Sequence, residues 1–125
     1  MLFDTDVLIW VLRGHDHAAR VVEATEDRSL SIINYMELLQ GARGKKEVQL
    51  IKSFIVEFSF LVLPLTENIG HRALVYLEEY RLSSGMFLAD ALVAATAVEN
   101  HLTLITANIK HYKPIRELDL KTFRP

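Results

Sequence analysis

The chain has 125 residues, of which half are apolar and 24% are charged; this predicts one globular domain and excludes a disordered chain. Fourteen basic and sixteen acidic residues leave a net charge of −2, which argues against a protein that coats nucleic acid non-specifically. The sequence has no cysteine, so disulfides, thiol nucleophiles and cysteine-based metal sites are excluded.

Short apolar runs alternate with longer segments of helical periodicity along the chain. The predicted strands, in chain order, are residues 1–4, 29–31, 60–65, 103–105 and 118–123. The predicted helices are residues 7–14, 15–25, 33–40, 48–58, 66–81 and 87–100. Residues 60–65 form the clearest candidate for a buried strand, and residues 118–123 for an edge strand. The alternation predicts an α/β fold with a central, mostly parallel sheet flanked by helices.

No targeting or membrane-spanning segment is predicted. Residues 1–14 are apolar, but Asp4 and Asp6 interrupt them and no basic residue precedes them. No uninterrupted apolar run reaches the roughly 18 residues that a transmembrane helix needs. We therefore expect a cytoplasmic protein without a membrane partner.

Acidic side chains occur where a parallel sheet gathers functional groups, at or near the carboxyl ends of strands. Asp4 and Asp6 follow the first strand, where either capping of the next helix or a functional role explains them. Glu37 shares a helical face with Ile33. Asp90 lies in an alanine-rich apolar helix, where an acid without a partner is costly.

Thr106 and Asn108 follow the fourth predicted strand, and on their own they are ordinary turn residues. Combined with three separated acids, they indicate that polar groups converge on one point. Crowded carboxylates repel each other, and a divalent cation offsets that repulsion. A set of oxygen ligands favours Mg²⁺ or Mn²⁺ over zinc.

Three blocks of sequence resemble the PIN-domain family, specifically the VapC-like toxins of toxin–antitoxin pairs. The blocks are residues 2–9 (LFDTDVLI), residues 31–41 around Glu37, and residues 90–112, which begin DALVAATA and end TANIKHY. Their order and spacing span nearly the whole chain, so we expect residues 1–125 to form a single PIN domain. The resemblance implies a PIN-like (Rossmann-like) three-layer sandwich and a metal-dependent ribonuclease, usually homodimeric and inhibited by a VapB-like antitoxin.

The resemblance also implies roles for particular side chains. Asp4, Glu37 and Asp90 are the expected core acids, with Mg²⁺ or Mn²⁺ on Asp4 and Asp90. Asn108 stands where many relatives have a fourth acid. This departure weakens the expectation of a second metal site. Three further side chains are expected to support these groups: Thr5, Asp6 and Thr106.

We expect this site to hydrolyse RNA phosphodiester bonds. The cation would polarise the scissile phosphate, Glu37 would orient the attacking water, and Asn108 would hold water or phosphate. The small net charge favours a short single-stranded or loop target. His111 is either an RNA contact or an ordinary loop residue. Basic side chains expected to guide the RNA backbone are Arg13, Arg43, Lys45, Lys46, Lys110 and Lys113.

Three alternatives compete with the nuclease. A phosphoacceptor receiver domain also gathers acids after its first strand, but it needs an Asp after its central strand, and residues 60–64 supply none. Asp4-Thr5-Asp6 resembles the haloacid-dehalogenase-type phosphatases, although the Gly-Thr that usually follows is absent. A PIN-like module that binds RNA or protein without cleaving it is the third alternative.

Overall fold

The computed structural model describes all of residues 1–125 as five strands and seven helices. The strands are β1 (Leu2–Phe3), β2 (Ser29–Ser31), β3 (Leu61–Leu63), β4 (Leu104–Thr106) and β5 (Leu120–Thr122). The helices are α1 (Thr5–Leu12), α2 (Asp16–Glu23), α3 (Ile32–Gln40), α4 (Lys45–Glu57), α5 (Glu67–Ser84), α6 (Leu88–Glu99) and α7 (Ile109–Tyr112). No helix has both the length and the apolar content to cross a bilayer.

All five strands are parallel and lie in the order β3-β2-β1-β4-β5. The order reverses beside β1, because the chain builds outward from β1 to β3 on one side and through β4 to β5 on the other. Such a switch point opens a crevice at the carboxyl ends of the strands. Receiver domains have the order 2-1-3-4-5 instead, so that alternative is wrong for this chain.

Helices cover both faces of the sheet, because successive strand side chains point to opposite sides. Leu2 and Leu104 face a core shared with α5, α6 and α7, whereas Phe3 and Ile105 face a core shared with α1, α2 and α4. The predicted three-layer α/β sandwich is therefore confirmed.

One prediction about the sheet is wrong. Residues 60–65 were predicted as the clearest buried strand, but β3 is an edge strand and Leu61 is 61% exposed. An apolar run identifies a strand without locating it in the sheet, because the strand order depends on how the crossovers pack. The predicted edge strand near the carboxyl terminus is confirmed by β5.

Polar residues at the strand ends also begin the helices that follow. The Asp4 side chain accepts a hydrogen bond from the Thr5 N–H and caps α1, and the Ser31 side chain caps α3 through the Asn34 N–H. Such caps satisfy amides that have no partner inside the helix. Each cap therefore starts its helix directly at the carboxyl edge of the sheet and places polar side chains there.

Candidate active site at the switch point

The candidate site lies at the carboxyl ends of the central strands, beside the switch point. Asp4 follows β1, Ser31 ends β2 and Thr106 ends β4. Because β2 and β4 flank β1, these three side chains lie at neighbouring positions along one edge. Parallel α/β sheets bind their ligands at this place.

Asp4 is the most enclosed acid, with 8% of its surface exposed. Its Oδ1 accepts hydrogen bonds from the Thr5 N–H at 2.9 Å and from Asn34 Nδ2 at 3.2 Å. Its Oδ2 accepts from the Thr106 hydroxyl at 2.8 Å and from the Tyr112 hydroxyl at 3.1 Å. These donors come from α1, α3, β4 and α7, so four separate elements fix the orientation of one carboxylate.

The electrostatics of Asp4 indicate a place for a cation. Burial, and after it the charge of Asp6, raises the pKa of Asp4 to about 6. No basic side chain pairs with Asp4, since the salt bridges of the chain involve other acids. A buried carboxylate that lacks a cation is costly, and a bound cation would offset that cost.

Asp6 joins the start of α1 to the turn after β4. Its Oδ1 accepts a hydrogen bond from the Val7 N–H at 2.8 Å, and its Oδ2 accepts from the Ala107 N–H at 3.0 Å. Burial raises the pKa of Asp6 as well. The Asn108 N–H donates to Thr106 Oγ1 at 3.0 Å, which fixes the start of the next turn.

A chain of hydrogen bonds connects Glu37 to Asp4. Asn34 Oδ1 accepts from the Ser31 hydroxyl at 2.7 Å, and Asn34 Nδ2 donates to Thr5 Oγ1 at 3.0 Å as well as to Asp4. The Thr5 hydroxyl then donates to Glu37 Oε1 at 2.7 Å. Thr5 therefore supports Glu37, and Glu37 Oε2 has no hydrogen bond within the protein.

Asp90 lies in the first turn of α6, half-buried. Its Oδ2 accepts a hydrogen bond from the Phe87 N–H at 3.1 Å and lies 3.0 Å from His111 Nδ1. Asn108 Nδ2 lies 3.2 Å from the same His111 nitrogen. Both partners of Asp90 use Oδ2, so Oδ1 carries no hydrogen bond. His111 is thus a partner of Asp90 in α7 rather than a loop residue.

Two neighbouring residues of α7, His111 and Tyr112, connect Asp90 and Asp4. Tyr112 is buried, and burial first, then the charges of Asp4, Asp90 and Asp6, raise the pKa of its phenol well above the ordinary value. Of these three aspartates, Asp4 accepts a hydrogen bond from the Tyr112 hydroxyl at 3.1 Å, and Asp90 contacts His111, the residue that precedes Tyr112. Glu37 is joined to the same network through the Thr5 hydroxyl.

The donor set fits a magnesium-like ion held partly by water. No three acidic or histidine side chains are grouped closely enough to form a metal site by themselves. Mg²⁺, however, is usually held by one or two carboxylates and keeps several waters. Asp90 Oδ1 is free, whereas Asp4 accepts four hydrogen bonds, about the number that a carboxylate offers. A cation at Asp4 would therefore replace one of them.

The basic residues predicted to guide RNA occupy two places. Arg13 and Arg43 line a cavity of about 510 Å³ that Glu37 also lines. Lys45 and Lys46 are exposed in the first turn of α4. On the other side of the site, Lys110 is exposed in α7 and Lys113 follows it.

Asn34 and Tyr112, which both donate hydrogen bonds to Asp4, were not predicted from the sequence. Asn34 lies three residues after Ser31 at a helix start, a spacing typical of a capping box. The link from Asn34 to Asp4 spans 30 residues, so local spacing does not reveal it. For Tyr112 the available signal is general: a buried tyrosine needs a partner for its hydroxyl.

The profile of the PIN domain matches residues 1–116 of the chain. Ribonuclease VapC10 of Mycobacterium tuberculosis is 37% identical to the chain over 123 residues, which cover 94% of this chain and 90% of the relative. The family match over residues 1–116 includes all three blocks: residues 2–9, 31–41 and 90–112.

Solved structures show the same architecture. A chain of a toxin–antitoxin complex from Klebsiella pneumoniae superposes with a TM-score of 0.77 at 30% identity, covering 94% of this chain and 93% of that one. VapBC-1 from nontypeable Haemophilus influenzae superposes with a TM-score of 0.79 at 21% identity, covering 97% and 96%, which shows the fold alone. The chain therefore belongs to the PIN-domain family, in its VapC ribonuclease branch.

Proposed function

We propose that this protein is an endoribonuclease that depends on Mg²⁺ or Mn²⁺ and acts as the toxin of a VapBC-type pair. The observation that carries the proposal is the buried Asp4 carboxylate at the switch point, which lacks a cationic partner. The Thr106 hydroxyl joins Asp4 to Asp6, and the neighbouring residues Tyr112 and His111 contact Asp4 and Asp90. Asp4 and Asp90 would hold the ion. When bound, the ion supplies positive charge that polarises a phosphoryl oxygen.

The protein's own groups orient the reacting atoms. Thr106 and Asn34 fix the two oxygens of Asp4, and the Phe87 N–H and His111 fix one oxygen of Asp90. Such preorganised groups need no rearrangement during the reaction. The side chains that aim the carboxylates thus contribute to catalysis without touching the substrate.

Glu37 and Asn108 have roles at the water and the phosphate. Thr5 holds Glu37 Oε1, which leaves Oε2 to accept a hydrogen bond from the attacking water and so orient it. The Asn108 amide is exposed beside His111, where it can hold water or a phosphate oxygen. Arg13 and Arg43, in the cavity beside Glu37, offer positive charge to the RNA backbone.

RNA cleavage with and without Mg²⁺, followed by mapping of the product ends, tests this proposal. We expect internal cleavage that leaves 5′-phosphates and stops when EDTA is added. Asp4→Asn and Asp90→Asn should lower the rate by about 100-fold or more, the usual loss when one preorganised electrostatic group is removed. Asp16→Asn is the matched control, because Asp16 is an exposed first-turn acid of α2.

Cleavage that persists in EDTA and leaves 2′,3′-cyclic phosphates would contradict the metal-dependent scheme. Wild-type rates in both Asp4→Asn and Asp90→Asn would contradict the residue assignments. Tight RNA or protein binding without any cleavage would favour the non-cleaving module instead.

We further propose a VapB-like antitoxin as partner, an inference that the Klebsiella toxin–antitoxin complex supports through its 30% identity to this chain. A protein that acts on cellular RNA under such control would work in the cytoplasm. Co-expression of an antitoxin should restore growth that the toxin alone inhibits. Growth inhibition that no antitoxin relieves would contradict this partner.

A homodimer is also proposed. Two helices expose apolar side chains: Leu50 and Val56 on α4, and Leu74 and Val75 on α5. Exposed apolar patches of this kind mark interaction surfaces. Light scattering at micromolar concentration should give the mass of a dimer, and a strict monomer would contradict this expectation.

A further inference from the structure

An exposed aromatic ring lies directly beside the proposed catalytic acids. Phe87 precedes α6, is 58% exposed, and belongs to neither hydrophobic core. We propose that Phe87 and Arg81 form a subsite for an unpaired nucleotide next to the scissile phosphate. The Phe87 ring stacks on the base, and Arg81 provides positive charge for the neighbouring phosphate. This inference rests on the proposed ribonuclease function.

The subsite is joined to the acids by direct contacts. The Phe87 N–H donates to Asp90 Oδ2 at 3.1 Å, and His111 Nδ1 lies 3.0 Å from the same oxygen. The His111 and Phe87 rings meet edge to face, with centroids 5.5 Å apart and an interplanar angle of 71°. One imidazole therefore touches both the carboxylate and the aromatic ring, so a nucleotide at Asp90 has Phe87 within reach of its base.

Arg81 holds the ring from the side of α5. The Arg81 guanidinium carbon lies 5.2 Å from the centroid of the Phe87 ring, within the range of a cation–π contact. Arg81 Nη1 also donates to the Gly85 carbonyl at 2.9 Å and to the Met86 carbonyl at 3.1 Å. Both carbonyls lie in the turn that leads to Phe87. The guanidinium therefore fixes the turn and the ring together.

The charge of Arg81 favours a nucleic acid as the occupant. Arg81 forms no salt bridge, and its Nη2 and Nε make no hydrogen bond within the protein. An aromatic ring beside an unpaired guanidinium is the combination that binds unstacked bases and their backbone. A purely apolar partner would leave that charge without a counter-ion.

Substitutions should separate stacking from charge. Phe87→Ala should lower kcat/KM on RNA by about 10-fold, in line with the usual loss of one base–aromatic stack. Phe87→Trp should keep most of the activity, because the indole also stacks. Arg81→Gln should weaken RNA binding and lower the slope of log K against log salt by about 0.7, the value for one single-strand phosphate contact. Leu82→Ala, at a fully exposed neighbour of Arg81, is the control.

A cycle with modified RNA tests the stacking directly. The base on either side of the mapped cleavage site is removed in turn to leave an abasic ribose, and wild-type and Phe87→Ala proteins are assayed on each RNA. Removal of the stacked base should slow the wild-type enzyme by about 10-fold and leave Phe87→Ala unaffected by the loss. The comparison of intact with abasic RNA can be made on the wild-type protein alone, so that part of the test does not depend on how Phe87→Ala folds.

Fluorescence provides a readout other than activity. Trp10 is the single tryptophan of the chain, so Trp10→Phe with Phe87→Trp places one indole at the subsite. In an Asp4→Asn background, which is expected to cleave more slowly by about 100-fold or more, the still uncleaved oligoribonucleotide should quench this indole. The abasic oligoribonucleotide should quench it much less.

The outcomes distinguish a failure of the proposed ribonuclease function from a failure of the proposed nucleotide subsite. A wild-type protein that neither cleaves nor binds RNA overturns both the function and the subsite. A wild-type protein that cleaves RNA, with additive effects of Phe87→Ala and base removal, overturns the subsite alone. Unchanged cleavage by Phe87→Ala combined with weaker binding of an antitoxin or weaker self-association would show that this ring serves a protein interface instead.

Discussion

At the scale of single residues, the buried charge of the candidate site lowers the stability of the folded protein. Asp4 is buried beside Asp6, and no Lys or Arg neutralises either carboxylate. Hydrogen bonds from Thr106 and Tyr112 lower the pKa of Asp4, yet burial prevails and the pKa is about 6. The folded, metal-free protein therefore holds the Asp4 proton more tightly than the unfolded chain does.

The raised pKa of Asp4 predicts how the free energy of unfolding changes with pH. The pKa of Asp4 is about 6 in the folded protein and ordinarily 3.8, so the free energy of unfolding in EDTA should fall as pH rises from about 4 to about 6 and stay lower above that range. Asp4→Asn removes the charge, and its amide can donate to the Thr106 and Tyr112 hydroxyls. Denaturant unfolding at pH 7.5 should therefore show Asp4→Asn more stable than wild type, by as much as about 3 kcal/mol.

The same comparison at pH 3.5 is the control, because Asp4 is then largely protonated and the advantage of Asp4→Asn should nearly vanish. Asp16→Asn, at an exposed acid, should leave stability unchanged at both pH values. An Asp4→Asn protein that is less stable than wild type at pH 7.5 in EDTA would contradict the cost assigned to burial.

Tyr112→Phe tests the hydroxyl among the carboxylates. The substitution removes a hydrogen bond to Asp4 Oδ2, and bonds to charged groups contribute about 1.5–3 kcal/mol. Urea unfolding in EDTA should show a loss of this size at pH 7.5 and a smaller loss at pH 3.5, where Asp4 is neutral. Tyr35→Phe, at a half-buried tyrosine of α3, is the matched control. Equal losses from Tyr112→Phe at both pH values would contradict a bond to a charged acceptor.

At the scale of elements, α6 positions Asp90 through its alanines. Ala91, Ala94, Ala95 and Ala97 are completely buried, and their small side chains let α6 approach α5 and the sheet closely. Close packing of this kind tolerates little added volume. The alanine-rich pattern therefore fixes the first turn of α6, which carries Asp90, at the edge of the site.

Ala94→Leu should disturb this packing. Adding three carbon atoms at a position with no free surface should lower the free energy of unfolding by about 1–3 kcal/mol, and the shift of α6 should also reduce RNA cleavage. Chemical denaturation and a cleavage assay measure the two effects. Ala24→Leu, at the exposed end of α2, is the control and should change neither. A fully stable and fully active Ala94→Leu protein would contradict the tight packing of α6.

At the scale of the whole molecule, the sheet order concentrates charge at one place. Because β1 lies between β2 and β4, the polar residues after all three strands meet at the switch point. Three of the four donors to Asp4 come from distant parts of the chain: Asn34, Thr106 and Tyr112 are separated from it by 30, 102 and 108 residues. Folding thus brings a buried carboxylate to the switch point, where a bound cation would offset the cost of burying its charge.

Added Mg²⁺ should therefore stabilise the folded protein. A ligand that binds only the folded state at 100 times its Kd contributes about 2.7 kcal/mol, which should raise the Tm by about 10 °C for a chain of 125 residues. Thermal unfolding in EDTA and in Mg²⁺ measures the shift. Asp16→Asn should show the same shift as wild type, and Asp4→Asn should show almost none. Equal shifts in wild type and Asp4→Asn would place the ion elsewhere.

Local sequence patterns were sufficient for the α/β class and the edge position of β5, and the three motif blocks were sufficient for the resemblance to the PIN-domain family, which implied the three-layer arrangement. Helical and strand periodicities are local properties, and acids in apolar surroundings such as Asp4 and Asp90 signal functional candidates by their cost alone. That these acids, with Glu37, are catalytic stays a prediction.

Only the tertiary structure decided that β3 lies at the edge of the sheet, that His111 pairs with Asp90, and that Asn34 and Tyr112 hold Asp4. Each of these features depends on how distant segments pack. Strand order follows from crossovers, and hydrogen bonds between residues 30 to 108 positions apart leave no spacing pattern in the chain. The sequence by itself therefore determined which groups are costly to bury, and the packing of the sheet decided which partners surround them.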